Sequence, residues 1–154
     1  MTLPVFTGNE LNTLMARVAN TAFYNATTTA PTAPASTGTY TMVGLAGSIT
    51  PNLTGRIMVS MQGIGGNTNG NGFGAKLSYG TGTAPSAAGA LAGTQTGPIF
   101  TMTALTGSLT AWFNIEVIIT GLTVGTTYWL DLAAAQLTGG TATLTQCHIA
   151  AREF

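Results

Sequence analysis

The stretch Leu109-Thr110-Ala111-Trp112-Phe113-Asn114-Ile115-Glu116-Val117-Ile118-Ile119-Thr120 decides the fold of this chain. Leu109, Ala111, Phe113, Ile115, Val117 and Ile119 take alternate positions, with Thr110, Trp112, Asn114, Glu116, Ile118 and Thr120 between them. Successive side chains of extended backbone point to opposite faces, so this period of two marks a half-buried β-strand with the first set turned inward.

The same period returns elsewhere. Ile57, Val59 and Met61 alternate with Arg56, Met58, Ser60 and Gln62. Phe73, Ala75, Leu77 and Tyr79 alternate with Gly74, Lys76 and Ser78, and Phe100, Met102 and Ala104 with Ile99, Thr101 and Thr103. Two further strands, about Tyr128 to Leu137 and Thr141 to Phe154, are joined by the hairpin-type glycine turn Thr138-Gly139-Gly140. The last strand breaks the alternation, since Leu144, Cys147, Ile149 and Phe154 fall on mixed faces, which implies cover on both sides. The runs Gly63–Gly72 and Gly80–Gly97 are glycine-rich and uncharged apart from Lys76 between them, and are expected to be connecting loops without Ca²⁺-binding carboxylates. Seven or eight strands without β-α alternation predict an all-β domain over residues 40–154, an antiparallel two-sheet sandwich of jelly-roll or Greek-key order.

Upstream the pattern changes. Thr7-Gly8-Asn9-Glu10 fits a capping box, in which the Thr hydroxyl and the Glu carboxylate satisfy orphan backbone N–H groups, and Phe6 with Leu11 forms the matching hydrophobic staple. Leu11, Leu14, Met15, Val18 and Ala22 then make one apolar stripe of a short amphipathic helix. Residues 1–24 are expected to be an attachment segment acting through Phe6, Leu11, Leu14, Met15 and Val18, either against the chain's own β-domain or against symmetry copies. Residues 25–39, rich in Ala, Thr and Pro, show no hydrophobic period and are expected to be an extended linker or arm.

Composition narrows the function. The chain has 154 residues, with four Lys plus Arg against four Asp plus Glu, so only 5% are charged, where ordinary soluble domains carry about 25%. Arg17, Arg56, Lys76 and Arg152 are scattered singly; nucleic-acid binding needs clustered cations, and that class is excluded. Cys147 is the single cysteine and His148 the single histidine, so no internal disulfide and no Cys/His metal set is expected. No run reaches the ~18 apolar residues of a membrane span, and no basic-then-apolar leader opens the chain, so synthesis in a cytoplasm and a soluble or assembled product are expected.

Catalytic constellations are missing too. Cys147 and His148 are adjacent on one strand and point to opposite faces, so they cannot pair within it. Glu116 and Asp131 fall at outward-looking positions, where pairing with Arg56, Lys76 or Arg152 or keeping a face soluble is expected rather than glycoside hydrolysis. Asn25-Ala26-Thr27 and Asn52-Leu53-Thr54 match glycosylation sequons by composition alone. No enzyme activity, cofactor or metal is expected.

Two resemblances bear on this reading. Gly121-Leu122-Thr123-Val124-Gly125-Thr126-Thr127-Tyr128-Trp129 resembles the sandwich corner of fibronectin type III modules, with Val124 where those have proline; the resemblance implies that Tyr128 is a corner tyrosine whose hydroxyl bonds upstream backbone. More of the chain resembles small virion proteins of tailed bacteriophages, described as structural, decoration or fibre proteins. That resemblance is carried by Tyr79-Gly80-Thr81-Gly82-Thr83-Ala84-Pro85, the Gly121-to-Trp129 run, Asp131-Leu132-Ala133-Ala134-Ala135, Thr138-Gly139-Gly140-Thr141-Ala142 and the opening Leu3-to-Leu11 segment. It implies a virion location and the major capsid protein or other virion proteins as partners, while the scattered cations and the lack of a long apolar run leave no nucleic acid and no membrane among the expected partners. A homotrimer in the manner of tumour-necrosis-factor-like jelly rolls would use exposed apolar residues at its contacts, for which Trp112, Ile118 and Trp129 are the candidates. The expected function is a capsid decoration or cement protein. The alternative is a tail-fibre or head-fibre tip that binds host glycan through the glycine-rich loops and Trp112 or Trp129.

Overall fold

The structure, a computed structural model, describes Gly8, Glu10 and residues 23–28, 38–68, 71–103 and 109–154. Gly8 and Glu10 have helical backbone; Phe6, Leu11, Leu14, Met15 and Val18 lie outside the described residues. The described strands are β1 (Phe23–Thr28), β2 (Thr41–Met42), β3 (Gly47–Ile49), β4 (Ile57–Asn67), β5 (Phe73–Thr81), β6 (Thr94–Met102), β7 (Leu109–Ile119), β8 (Tyr128–Gln136) and β9 (Ala142–Glu153).

One sheet has the order β1-β9-β4-β7 and the other β2-β8-β5-β6, with β3 pairing β8 beside β2. The pairs β1·β9, β2 and β3·β8, β4·β7 and β5·β6 nest inside one another, as in a long antiparallel ribbon folded back on itself. The additional pairings β4·β9 and β5·β8 close that ribbon into a roll. This is jelly-roll order, and of the two orders left open by the alternation it excludes the fibronectin-like one.

Between the sheets lie Ile57, Val59 and Met61 of β4, Phe73, Ala75 and Leu77 of β5, Phe113, Ile115 and Ile119 of β7, and Leu130 and Leu132 of β8. Phe73, Phe100 and Phe113 meet in the middle, with ring centroids 5.5 to 6.5 Å apart, the spacing at which tilted aromatic pairs attract.

Three segments depart from expectation. Asn25–Thr28, expected as the start of a linker, form β1 together with Phe23 and Tyr24, antiparallel to β9. An edge strand can be held by backbone pairing alone, which a search for hydrophobic period does not detect. Secondly, β4 continues to Asn67 through the glycines expected to be loop. Those glycines make room: a Cβ on Gly63 would come within 2.9 Å of the Cys147 Sγ and the Phe113 ring, and one on Gly65 within 2.3 Å of the Phe73 ring. Thirdly, the mixed faces of β9 arise from a bulge and not from cover on both sides. Gln62 pairs with His148 but Ile64 with Thr145, so Gln146 and Cys147 together oppose Gly63. Gln146 takes φ 53°, and the extra residue flips the phase, which turns both Leu144 and Cys147 into the core.

Candidate functional site

The outer face of the β1-β9-β4-β7 sheet carries two large exposed apolar side chains, Trp112 and Ile118, both on β7. Register places its side chains in rows across the strands. Ile118, Met58 and Arg152 make one row, and Glu116, Ser60 and Ala150 the next. Asn114, Gln62 and His148 follow, then Trp112, Ile64 and Thr145. Two apolar rows thus bracket a polar belt. Trp112 is 65% exposed and Ile118 52%, because the alternation that sends Phe113, Ile115 and Ile119 inward sends these two outward. Shallow grooves run on either side of Met58, one lined by Ser60, Ala150 and Arg152 and the other by Glu116, Val117 and Ile118.

Trp129, the third expected contact residue, is corrected: it is only 6% exposed and is covered by its own chain. It packs with Met42, Ala133, Tyr40, Ala84 and Ala92 on the outer face of the other sheet. The segment between β5 and β6 folds back over that face, where the Met42 N–H donates to the Gly89 carbonyl at 2.9 Å and the Ala88 N–H to the Met42 carbonyl at 2.9 Å. Gly80 and Gly93 shape the slot for the indole, since a Cβ on either would come within 2.6 Å of its ring. Its Nε1–H donates to the Thr81 carbonyl at 3.2 Å.

Asp131 is also corrected, from outward-looking to fully buried. Its carboxylate accepts the Gly44 N–H at 3.0 Å and the Leu45 and Leu132 N–H groups at 2.8 Å, so it ties the β2–β3 connection to β8. Burial pushes its pKa above the ordinary carboxylate value, against the opposing hydrogen bonds from Leu45, Gly44 and Leu132. Ser78 pairs with it across β5 and β8 and is buried with its Oγ unpartnered.

A second carboxylate was not singled out by the sequence reading. Glu153 is 2% exposed and receives the N–H groups of Asn52 at 2.7 Å, Leu53 at 2.8 Å, Thr54 at 2.5 Å and Gly55 at 3.2 Å. Burial alone would raise its pKa, but these backbone donors outweigh it and hold the group at about 2. The signal was available: past the bulge, Glu153 shares the parity of Ile149 and Ala151, so a carboxylate stands on an inward-facing row.

Cys147 and His148 point to opposite sides of β9. Burial, then the Asp131 charge, push the Cys147 thiol up to about 12, so it is protonated and a poor nucleophile at neutral pH. At the sandwich end holding the β4–β5 connection, the buried Asn67 donates through Nδ2 to the Gly72 carbonyl at 2.9 Å and the Gly139 carbonyl at 2.8 Å. Asn71 Nδ2 donates to the Thr68 carbonyl at 3.1 Å. These amides lock the loop instead of presenting themselves to a ligand. Among the described residues no group of three or more His, Cys, Asp or Glu could hold a metal ion, and no helix is long and apolar enough to cross a membrane.

At the corner between β7 and β8, the Thr123 N–H donates to the Tyr128 Oη at 2.9 Å. Tyr128→Phe removes one hydrogen bond without changing the ring, and should lower stability by about 1 kcal/mol in urea unfolding; an unchanged midpoint would mean that water replaces the hydroxyl.

No protein-family model matches the chain, and no curated protein matches it in sequence. Among solved structures it is similar to the globular domain of zebrafish complement 1qA protein, with TM-score 0.47, 8% identity, and 84% of this chain and 94% of that one covered. It is similar to a chain of infectious bursal disease virus, Gx strain, with TM-score 0.48, 12% identity, and 85% of this chain but 32% of that one covered. A third is the Eiger TNF of S. frugiperda, with TM-score 0.42, 10% identity, and 87% and 91% covered. The jelly-roll assignment stands on the strand order itself.

Proposed function

We propose that this chain is a structural protein of a tailed-bacteriophage virion, and more narrowly a capsid decoration or cement protein. It acts as a homotrimer that holds the shell through its N-terminal segment and stabilises contacts between capsomers. The observation that carries the self-associating part of this reading is the outer sheet face, on which Trp112 and Ile118 stand exposed at the two ends of a polar belt, a core-like pair of apolar side chains with a polar zone of the kind a subunit contact covers. The sequence resemblance to phage virion proteins supplies the location. In this reading the chain performs no catalysis: Asp131 and Glu153 are engaged by backbone N–H groups. Several copies of one arm acting together add avidity, so each shell contact can be weak.

Because β1 starts at Phe23, the informative truncation removes residues 1–22 and spares the strand. The full chain should scatter light as three times 15.6 kDa and should sediment with decoration-free capsids. The truncated chain should keep its β-sheet circular dichroism and stay in the supernatant. Full pelleting without residues 1–22 overturns the attachment role, and a full chain that is monomeric and does not pellet overturns the cement reading as a whole.

The fibre-tip alternative retains Trp112 as an exposed aromatic for stacking on sugar. It loses Trp129 and Asn67, both buried. Binding of host cells that disappears in Trp112→Ala while capsid pelleting is absent would favour it.

A further inference from the structure

We infer that the outer face of the β1-β9-β4-β7 sheet docks on a second copy of this chain in a charge-matched register, with Glu116 of one copy against Arg152 of the other. This rests on the self-association proposed above and specifies its surface and pairing.

The inference starts from where the few charges go. Of the described acids, Asp131 and Glu153 are buried and engaged by backbone N–H groups, and Glu10 has its own interaction. Of the described cations, Arg56 stacks on the Phe154 ring at 4.8 Å and Lys76 on the Tyr40 ring at 4.1 Å. Glu116 and Arg152 remain. Glu116 has only a 3.4 Å hydrogen bond from the Ser60 hydroxyl, and neither has a charged partner among the described residues.

Both stand on the same outer face. Arg152 is on β9 and Glu116 on β7, two strands apart with Met58 and Ser60 of β4 between them, about 10 Å across the sheet and about 7 Å along it. One of the two grooves beside Met58 is therefore rimmed by the base and the other by the acid. A surface with apolar grooves, one acid and one base is complementary to itself: laying the acid rim of one copy on the base rim of another pairs the charges and covers Met58 and Ile118 together. A partner of strong net charge would leave one of the two charges repelled. A second copy of a chain with net charge zero leaves neither.

The test uses charge reversal on the full chain, with mass read by light scattering and sedimentation equilibrium at low salt. Glu116→Arg and Arg152→Glu should each weaken association about tenfold or more. The double variant E116R/R152E should recover it, because each reversed acid then meets a reversed base on the neighbouring copy. Added salt should weaken the wild type and leave E116Q/R152Q less affected. Single reversals that leave the mass unchanged, or a double variant that stays dissociated while folded, overturn the pairing. If Ile118→Asp dissociates the protein while the reversals do not, self-association through this face survives and the register falls. A wild type monomeric at every concentration ends both.

Discussion

Glu153→Ala should lower the free energy of unfolding by about 3 kcal/mol, because four backbone N–H groups and the Thr54 hydroxyl lose one charged acceptor together. The loss should be localised. The N–H groups of Asn52, Leu53, Thr54 and Gly55 all donate to this one carboxylate, so in the variant their amides should exchange hydrogen faster than those of the neighbouring strands. Acid response carries the second signature. Glu153 has a folded pKa of about 2 against 4.5, so its contribution is fully present above pH 4.5 and is lost as pH falls from there toward 2. Glu153→Gln should flatten that part of the stability profile; a variant with the same slope as wild type between pH 4.5 and 2 would rule out Glu153 as its source.

Asp131→Ala should cost about 3 kcal/mol as well, by leaving the N–H groups of Gly44, Leu45 and Leu132 without their acceptor in a buried setting. Its pH dependence has the opposite sign. The folded protein holds this proton more tightly than the unfolded chain does, since burial raises the pKa from 3.8. The contribution is therefore greatest in acid and falls as pH rises through the folded pKa. Asp131→Asn keeps the shape without the titration, so its deficit relative to wild type should be largest at low pH and shrink toward neutrality. A deficit that grows with pH would mean that the charged form is the one the fold favours. On acidification the two anchors thus act in opposite directions, Asp131 gaining as pH falls through its folded pKa and Glu153 weakening below pH 4.5.

The inner faces of β4, β5 and β7 were legible in the sequence because one side of each strand meets the core and the other does not. Ile57, Val59 and Met61, or Phe113, Ile115 and Ile119, need no tertiary information to be placed. The same alternation put Trp112 and Ile118 outside. It failed where a face is covered a second time. Trp129 and Asp131 are on the outer side of β8, as parity says, but the segment between β5 and β6 folds over Trp129 and the β2–β3 connection closes on Asp131, and those segments have no period of their own. It failed again at Gln146, where one residue in a left-handed conformation exchanges inside for outside and makes the remainder of β9 look irregular. β1 was hidden because its partner is backbone. Glu153 was readable in principle, but only after the phase change at the bulge is known.

The antiparallel pairing of the first and last described strands places Phe23 beside Arg152, and the chain end is held there by the Phe154 N–H on the Arg56 carbonyl. The β8–β9 hairpin lies at the other end, where Ala142 pairs with Asn67, while Glu153 pairs with Ile57. The first and last described strands therefore begin and end at one pole, opposite the β8–β9 hairpin. A passenger domain fused after Phe154 would emerge at the pole where Phe23 begins β1. The hairpin at the far pole is no open site for an insert: Gly139 accepts from Asn67 and Thr138 donates to Asn71, so a peptide spliced between them would unfasten the β4–β5 connection.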